Sequence, residues 1–224
     1  MEAHVNWIEP LDKYCERVTP DFWAEPVNAV SNLSFILAAW FALRLVHNLG
    51  IRRLDCYWLI LLVFLIGIGS FLFHTFANHW SLLADIVPIY IFQLSIIAFY
   101  GAAIAKLKRR SQLGGSAMLL AGFIVLTFLF SLFPRDLLNG SIIYIPVVLI
   151  FVGLGIYQAM QPWNERYTLL VASLLLVLAL VFRTVDADIC RSLLVGTHFL
   201  WHLINGCVLY LVIKAYMGVV AARV

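Results

Sequence analysis

The chain has 224 residues, of which 63% are hydrophobic and 12% are charged, and its mean hydropathy is +0.96. Because a typical soluble domain carries about 25% charged residues, this composition excludes an ordinary soluble fold and predicts an integral membrane protein. The formal net charge is only +3, and the sequence has no basic stripe or base-stacking platform, so we expect no nucleic-acid partner.

Residues 1–26 are mixed and polar and lack the apolar core of a signal peptide. We therefore predict that residues 1–26 form an extracytoplasmic N-terminal segment. The first apolar stretch after this segment is expected to direct insertion into the membrane.

Seven apolar windows near the membrane-spanning length of about 20 residues follow this segment. They are Val27–Val46, Tyr57–Phe76, Leu82–Ala105, Gly115–Phe133, Ser141–Met160, Tyr167–Phe182 and Leu193–Tyr216. No internal repeat or second domain interrupts them. The sequence therefore predicts an all-α fold, a single domain over residues 1–224 that forms an integral membrane bundle of seven transmembrane helices.

Basic residues are divided unevenly between the two sides that seven spans create. The strongest signal is the run Lys106-Leu-Lys-Arg-Arg110 after the third window. Since loops rich in Lys and Arg stay in the cytoplasm, we predict that the N-terminus is outside and the C-terminus is cytoplasmic. A bacterial inner membrane, the endoplasmic reticulum and the Golgi are all consistent with such a multi-pass protein.

Three histidines lie in apolar windows, where an ionisable side chain is costly and its default interpretation is a functional site. His198 and His202 are four residues apart on one predicted helix and therefore share a face. His74 lies near the end of the second window, in the same predicted outer leaflet. Two histidines from one helix and one from another, with a fourth position open for water, are typical of catalytic zinc.

Two further polar residues fall in the same outer layer. Ser70 is one turn from His74 on the same face, and Asp85 lies near the outer start of the third window. Asp85 would take a proton from zinc-bound water and return it to a leaving amine. Ser70 would donate a hydrogen bond to the oxyanion of a tetrahedral intermediate. The pattern favours a zinc-dependent amide or ester hydrolase of membrane lipids.

Each of these residues also has a structural interpretation. A membrane histidine often hydrogen-bonds a neighbouring helix, and a carboxylate near a helix N-terminus is stabilised by the helix dipole, as Asp85 would be. A serine commonly bonds back to its own helix, which for Ser70 alone is the favoured interpretation. His74 by itself is balanced between the two interpretations, whereas the spacing of His198 and His202 favours ligands.

Five short motifs carry a resemblance to a known family. They are Tyr14-Cys15-Glu16, Glu25-Pro-Val-Asn28-Ala-Val-Ser-Asn32, Gly69-Ser70-Phe-Leu-Phe-His74, Asp85-Ile-Val-Pro88 and His198-Phe-Leu-Trp201-His202. In this order they resemble the alkaline ceramidases, which belong to a superfamily that includes the progestin and adiponectin receptors. The resemblance implies seven transmembrane helices and a zinc amidase that cleaves the N-acyl bond of ceramide to a sphingoid base and a free fatty acid.

The resemblance assigns roles to the same residues. It implies zinc on His74, His198 and His202, acid–base work by Asp85 and oxyanion support by Ser70. It would make the chain a hydrolase of linear amides whose substrate is a ceramide-like membrane lipid.

The resemblance also favours a disulfide between Cys15 and Cys190, which would lie on the oxidising side of the membrane. Spacing alone does not fix this pairing, and four unpaired cysteines remain the alternative. Cys190 is expected in the outer loop before the seventh window, together with Asp186 and Asp188, as a solvated segment. Cys56 and Cys207 are expected to be free.

Family members that resemble this chain carry a calcium site in the N-terminal segment, and its carboxylates would correspond to Glu16 and Glu25. Two other positions of that site hold Lys13 and Val18, whose side chains supply none of the oxygen ligands that calcium requires. We therefore expect calcium binding to be lost or weak. The ammonium of Lys13 is expected to lie between Glu16 and Glu25 as a substitute cation.

Three other functions stay open at this stage. The first is a seven-helix lipid receptor or sensor in which zinc is structural. The second is a transporter that uses Asp85 and the histidines as a proton relay, although no inverted repeat supports it. The third is a hydrolase of another lipid ester or amide, because the metal chemistry is shared.

Overall fold

The computed structural model describes residues 6–221, so residues 1–5 and 222–224 of the expected domain lie outside the described residues. Within that range the chain forms eight α-helices and one short 3-10 helix, which confirms the all-α class. The α-helices are α1 (Pro26–Ser31), α2 (Leu33–Asn48), α3 (Leu54–Phe76), α4 (His79–Leu107), α5 (Gln112–Ser131), α6 (Ile145–Ala159), α7 (Thr168–Ile189) and α8 (His198–Ala221), and the 3-10 helix, Ser141–Tyr144, precedes α6.

Seven helical segments of the described chain are long and apolar enough to cross a membrane. Asn32 alone separates α1 from α2, and the two helices together form the first span, Pro26–Asn48. Every predicted window overlaps one span. The largest difference is at α7, which continues to Ile189, beyond the expected end at Phe182. The orientation of the bundle across the membrane stays a prediction.

The seven spans pack into a closed ring. Each span contacts its neighbours in chain order, and α8 closes the ring by packing against α2 and α7. Leu59, Ile96 and Ile213 are among the fully buried side chains between the helices. Large apolar side chains such as Phe41, Leu61 and Phe128 cover the outer surface, as expected for helices that face lipid.

The backbones of α3 and α4 approach each other closely at Gly69. A Cβ atom at this position would lie 2.0 Å from the carbonyl oxygen of Ala84 and 3.1 Å from the Cα of Asp85. Glycine is therefore required for the two backbones to meet here. This crossing brings Ser70, the next residue of α3, next to Asp85 of α4.

Only Ala77 and Asn78 separate α3 from α4, so His74 and Asp85 lie at the same end of the bundle. The Asn78 side chain accepts a hydrogen bond from the backbone of Ser81 at 3.1 Å and caps α4 at its start. The N-terminal segment packs over this end, since the backbone N–H of Leu11 donates to the carbonyl of Ala77 at 2.7 Å.

Candidate metal centre

The three histidines that the sequence predicts as ligands converge in the structure. Each of His74, His198 and His202 offers one ligand atom, and these atoms all lie within 4.8 Å of one another. The three side chains are buried, with at most 2% of each residue exposed. His74 comes from the last turn of α3, and the other two come from the first two turns of α8. A single metal ion could therefore be shared by two helices that are distant in sequence.

Two of the imidazoles are held by hydrogen bonds at Nδ1. His74 Nδ1 lies 2.6 Å from a carboxylate oxygen of Glu25, which can only accept. His202 Nδ1 lies 2.7 Å from the hydroxyl of Ser31, and that hydroxyl donates its own hydrogen to the carbonyl of Asn28 at 2.7 Å. Both rings therefore carry a hydrogen on Nδ1, which leaves the lone pair of Nε2 for a metal.

The third imidazole differs, because the buried Nδ1 of His198 has no hydrogen-bond partner among residues 6–221. Three buried, closely spaced imidazoles, two of them oriented through their second nitrogen, fit a divalent ion that prefers nitrogen ligands. Zinc is the ion that such a set most commonly holds in hydrolases. The residues present thus fit the predicted zinc site.

Tyr14 of the N-terminal segment covers the histidines. Its ring stacks on His198 with centroids 3.6 Å apart and an interplanar angle of 17°, and it lies 5.3 Å from the ring of His74. Burial raises the pKa of Tyr14, which outweighs the opposite effect of Arg183, so the phenol is neutral and can donate a hydrogen bond. The sequence had marked Tyr14 only as part of a motif, without a role.

Glu25 is held between His74 and a buried arginine. The Nε atom of Arg17 donates to Glu25 Oε1 at 2.5 Å, and Nη2 donates to the backbone carbonyl of His74 at 3.2 Å. Burial alone raises the pKa of Glu25, but the hydrogen bonds and charges of His74 and Arg17 together outweigh it and hold the pKa below its usual range. The carboxylate is therefore ionised and able to fix the imidazole.

The expected position of Lys13 between Glu16 and Glu25 is wrong. Burial and the charge of Arg183 lower the pKa of Lys13, whereas the Asp85 carboxylate raises it, so the ammonium lies within electrostatic range of Arg183 and Asp85 instead. The cation paired with Glu25 is Arg17. Arg17 is four residues closer to Glu25 in sequence than Lys13 is, and its guanidinium pairs with the Glu25 carboxylate.

The carboxylate of Glu16 is engaged at the start of α1. Its two oxygens accept the backbone N–H groups of Val27 at 2.7 Å and Asn28 at 2.8 Å. These N–H groups belong to the first helical turn, which has no partners of its own within the helix. Both carboxylates proposed for a calcium site thus have protein partners, and the loss of calcium binding stays an expectation.

Ser70 and Asp85 lie next to the histidines. The Ser70 side chain is buried and lies beside the Asp85 carboxylate, which is also within electrostatic range of His74. Their proximity follows from the close crossing at Gly69. Their catalytic roles remain proposals.

Asp186 is buried rather than solvated, so its expected position in an outer loop is wrong. One carboxylate oxygen accepts the backbone N–H of Cys15 at 3.1 Å, and the other accepts those of Thr197 at 2.6 Å and His198 at 2.9 Å. These three donors satisfy the buried carboxylate in place of water. Asp188, by contrast, is exposed as expected.

The sulfur atoms of Cys15 and Cys190 are bonded, with their Cα atoms 5.0 Å apart. This disulfide joins the N-terminal segment to the end of α7, beside Asp186. Gly196 approaches the same place with a φ of +68°, and a Cβ there would lie 2.2 Å from the Asp186 carboxylate. Cys56 and Cys207 are free in the structure.

Comparison with known proteins gives one family. The family model described as Ceramidase matches residues 3–223, which is nearly the whole chain. No curated protein has a sequence that matches this chain.

Proposed function

Because the chain belongs to the ceramidase family, we propose that it is a zinc-dependent amide hydrolase that cleaves the N-acyl bond of ceramide into a sphingoid base and a free fatty acid. The observation that carries this proposal is the convergence of three buried histidines, two of them oriented at Nδ1 by Glu25 and Ser31. Such a centre within an apolar bundle suits a substrate that reaches it from the lipid.

The three histidines would hold the metal, and Glu25 and Ser31 would keep two imidazoles in the orientation and tautomer that binding requires. When bound, zinc would supply hydroxide at neutral pH and polarise the amide carbonyl. Tyr14 covers the centre and would limit the access of bulk water to it.

Asp85 would carry the proton in this reaction. It would accept a proton from the attacking water and deliver it to the amine nitrogen as the carbon–nitrogen bond breaks. Ser70 would donate a hydrogen bond to the oxygen that becomes negative in the tetrahedral intermediate. The support for both roles is the position of the two side chains beside each other and close to His74.

The test is hydrolysis of defined ceramides by the purified protein in detergent, with both products quantified by mass spectrometry. In water enriched in oxygen-18, the released fatty acid should carry one labelled oxygen. Asp85→Asn should lower kcat by roughly 100- to 10,000-fold, and Ser70→Ala by roughly 100- to 1,000-fold.

Asp188→Asn is the matched control, because Asp188 is an exposed carboxylate, and it should retain full activity. Cleavage of lipid esters without cleavage of any amide would move the assignment to another lipid hydrolase. Bound zinc without turnover on either class would favour the receptor.

A further inference from the structure

An apolar cavity of about 70 Å³ lies inside the ring, next to the histidine cluster. Two of its lining residues connect it to the metal centre. The ring of Phe35 lies 6.1 Å from the ring of His202, and Tyr144 lies beside Arg183 and within electrostatic range of Asp85. A short segment of a hydrocarbon chain attached to an amide at the metal centre could therefore enter this cavity.

The wall of the cavity carries an amide without a partner. Gln93 of α4 is buried, with 9% of the residue exposed, and its side chain bonds no other residue in the described part of the chain. Gln93 follows Asp85 by eight residues, which is roughly 12 Å along the helix axis. Because no water is available in the hydrocarbon region, an amide left unpaired there is costly, and its default interpretation is a binding function.

A second amide faces the same space one turn below the metal centre. Asn205 of α8 uses its side-chain nitrogen to donate to the carbonyl of Trp201 at 2.9 Å. No hydrogen bond within residues 6–221 occupies its side-chain oxygen, and the residue lines the cavity. The cavity has no charged lining residue, so its polar sites suit a neutral hydrogen-bonding group and exclude an ionised one.

We infer that this cavity binds the segment of a lipid chain that carries a hydroxyl group, and that Gln93 recognises the hydroxyl. An amide both donates and accepts, as a hydroxyl does, so the two groups satisfy each other. A wholly apolar chain in the same place leaves the Gln93 amide unpaired. The missing hydrogen bond makes such a chain bind less tightly than a hydroxylated one. The inference rests on the proposed function only because it takes the bound lipid to be the substrate. The hydroxyl could belong to either of two chains of that lipid, the acyl chain or the chain of the sphingoid base.

The experiment uses matched pairs of N-acyl lipids that differ by one chain hydroxyl, with a series of positions on the acyl chain in one arm and on the base in the other. Each pair competes in one reaction, and product ratios give the ratio of kcat/KM. For one hydroxyl position in one arm, the hydroxylated lipid should have a kcat/KM roughly threefold to tenfold higher than that of its matched lipid without the hydroxyl. This factor corresponds to a single neutral hydrogen bond. Gln93→Met should bring that ratio close to one, without a lower melting temperature, because no protein hydrogen bond is lost.

Leu94→Met is the control, since Leu94 is exposed beside Gln93 and should keep the wild-type ratio. A second readout avoids turnover and compares the equilibrium binding of the matching free fatty acids and free bases, with and without the hydroxyl. A binding preference that Gln93→Met removes supports the inference even if no amide is cleaved, in which case only the proposed function fails. Equal binding and equal turnover of all pairs, or a preference that survives Gln93→Met, would overturn it.

Discussion

At the scale of single residues, Arg17 supports the metal centre from outside the ligand set. Only 6% of Arg17 is exposed, and its guanidinium binds both Glu25 and the backbone of His74. Glu25 in turn holds the Nδ1 of His74. Arg17 is therefore a positioning residue, which acts on a ligand through a carboxylate.

We expect Arg17→Met to weaken the metal site and the fold together. It leaves the buried carboxylate of Glu25 without its cation, which costs about 3–5 kcal/mol. The loss of this support should lower zinc affinity by roughly 10- to 100-fold, the usual effect of removing a residue that orients a ligand. Competition with a chromophoric chelator measures the affinity, and a melting curve of the metal-free protein measures the stability.

Val18→Ala is the control for this experiment, because Val18 is adjacent and 80% exposed. Arg17→Lys should recover part of the affinity, since one ammonium replaces the charge but not the forked geometry of the guanidinium. An unchanged zinc affinity in Arg17→Met would show that Glu25 orients His74 without it.

At the scale of helices, the crossing of α3 and α4 places the two residues proposed for catalysis. Gly69→Ala would add a methyl group 2.0 Å from the Ala84 carbonyl oxygen, so the helices must separate. We expect a loss of about 1–3 kcal/mol in stability. Turnover should fall by more than the loss of folded protein explains, because Asp85 moves away from Ser70. Unfolding and ceramide hydrolysis, both measured in detergent, test the prediction.

Gly122→Ala is a matched control within α5. A Cβ at Gly122 would have no atom within 4 Å, so the same substitution should be neutral or stabilise the helix by about 0.5–1 kcal/mol. Equal behaviour of the two variants would contradict the requirement for glycine at the crossing.

The helices themselves were largely predictable, because apolar length, with prolines or charged residues near several of the ends, defines a membrane span. The spacing of His198 and His202 was equally informative, since residues four apart on a helix must share a face. The end of α7 could not be predicted from hydropathy, because Arg183 and Asp186 lower the local hydropathy there. Only the fold shows that backbone N–H groups satisfy Asp186.

The support around the histidines was less accessible to sequence reasoning. Ser31 occurs in a motif that resembled the family pattern, and Arg17 is a charge close to Glu25 in sequence. Both residues could be noticed in the sequence, but their hydrogen-bond partners depend on how the irregular N-terminal segment folds over the bundle. Such a segment has no periodicity from which contacts can be derived. The resemblance predicts Lys13 as the cation because Lys13 stands at a calcium-ligand position of the family pattern, whereas the fold pairs Arg17 with Glu25.

At the scale of the whole molecule, the metal centre, the Cys15–Cys190 bond and the N-terminal segment lie at one end of the bundle. The basic run Lys106–Arg110 begins in the last turn of α4, at the opposite end of the bundle. The positive-inside rule and the oxidising conditions that a disulfide requires point to the same orientation. We therefore propose that the metal centre lies near the extracytoplasmic face.

A labelling experiment on intact cells tests this orientation in a background that lacks Cys56 and Cys207. A membrane-impermeant maleimide should label Asp136→Cys, in the exposed loop after α5, and should not label Lys108→Cys, in the exposed loop before it. Both sites should react once the cells are permeabilised. Labelling of Lys108→Cys alone in intact cells would reverse the orientation.

The metal centre depends on the closed ring of helices, because α8 carries two of the ligands and also packs against both α2 and α7. The central claim is that the three buried histidines form a zinc centre that hydrolyses an N-acyl lipid. The most direct measurement is the metal content and ceramide turnover of one purified preparation, with His202→Ala beside the exposed His47→Ala. We predict equimolar zinc and fatty acid release in the wild type and in His47→Ala, and the loss of both in His202→Ala. Turnover that persists in His202→Ala, or a zinc-loaded protein that cleaves no N-acyl lipid, would contradict the claim.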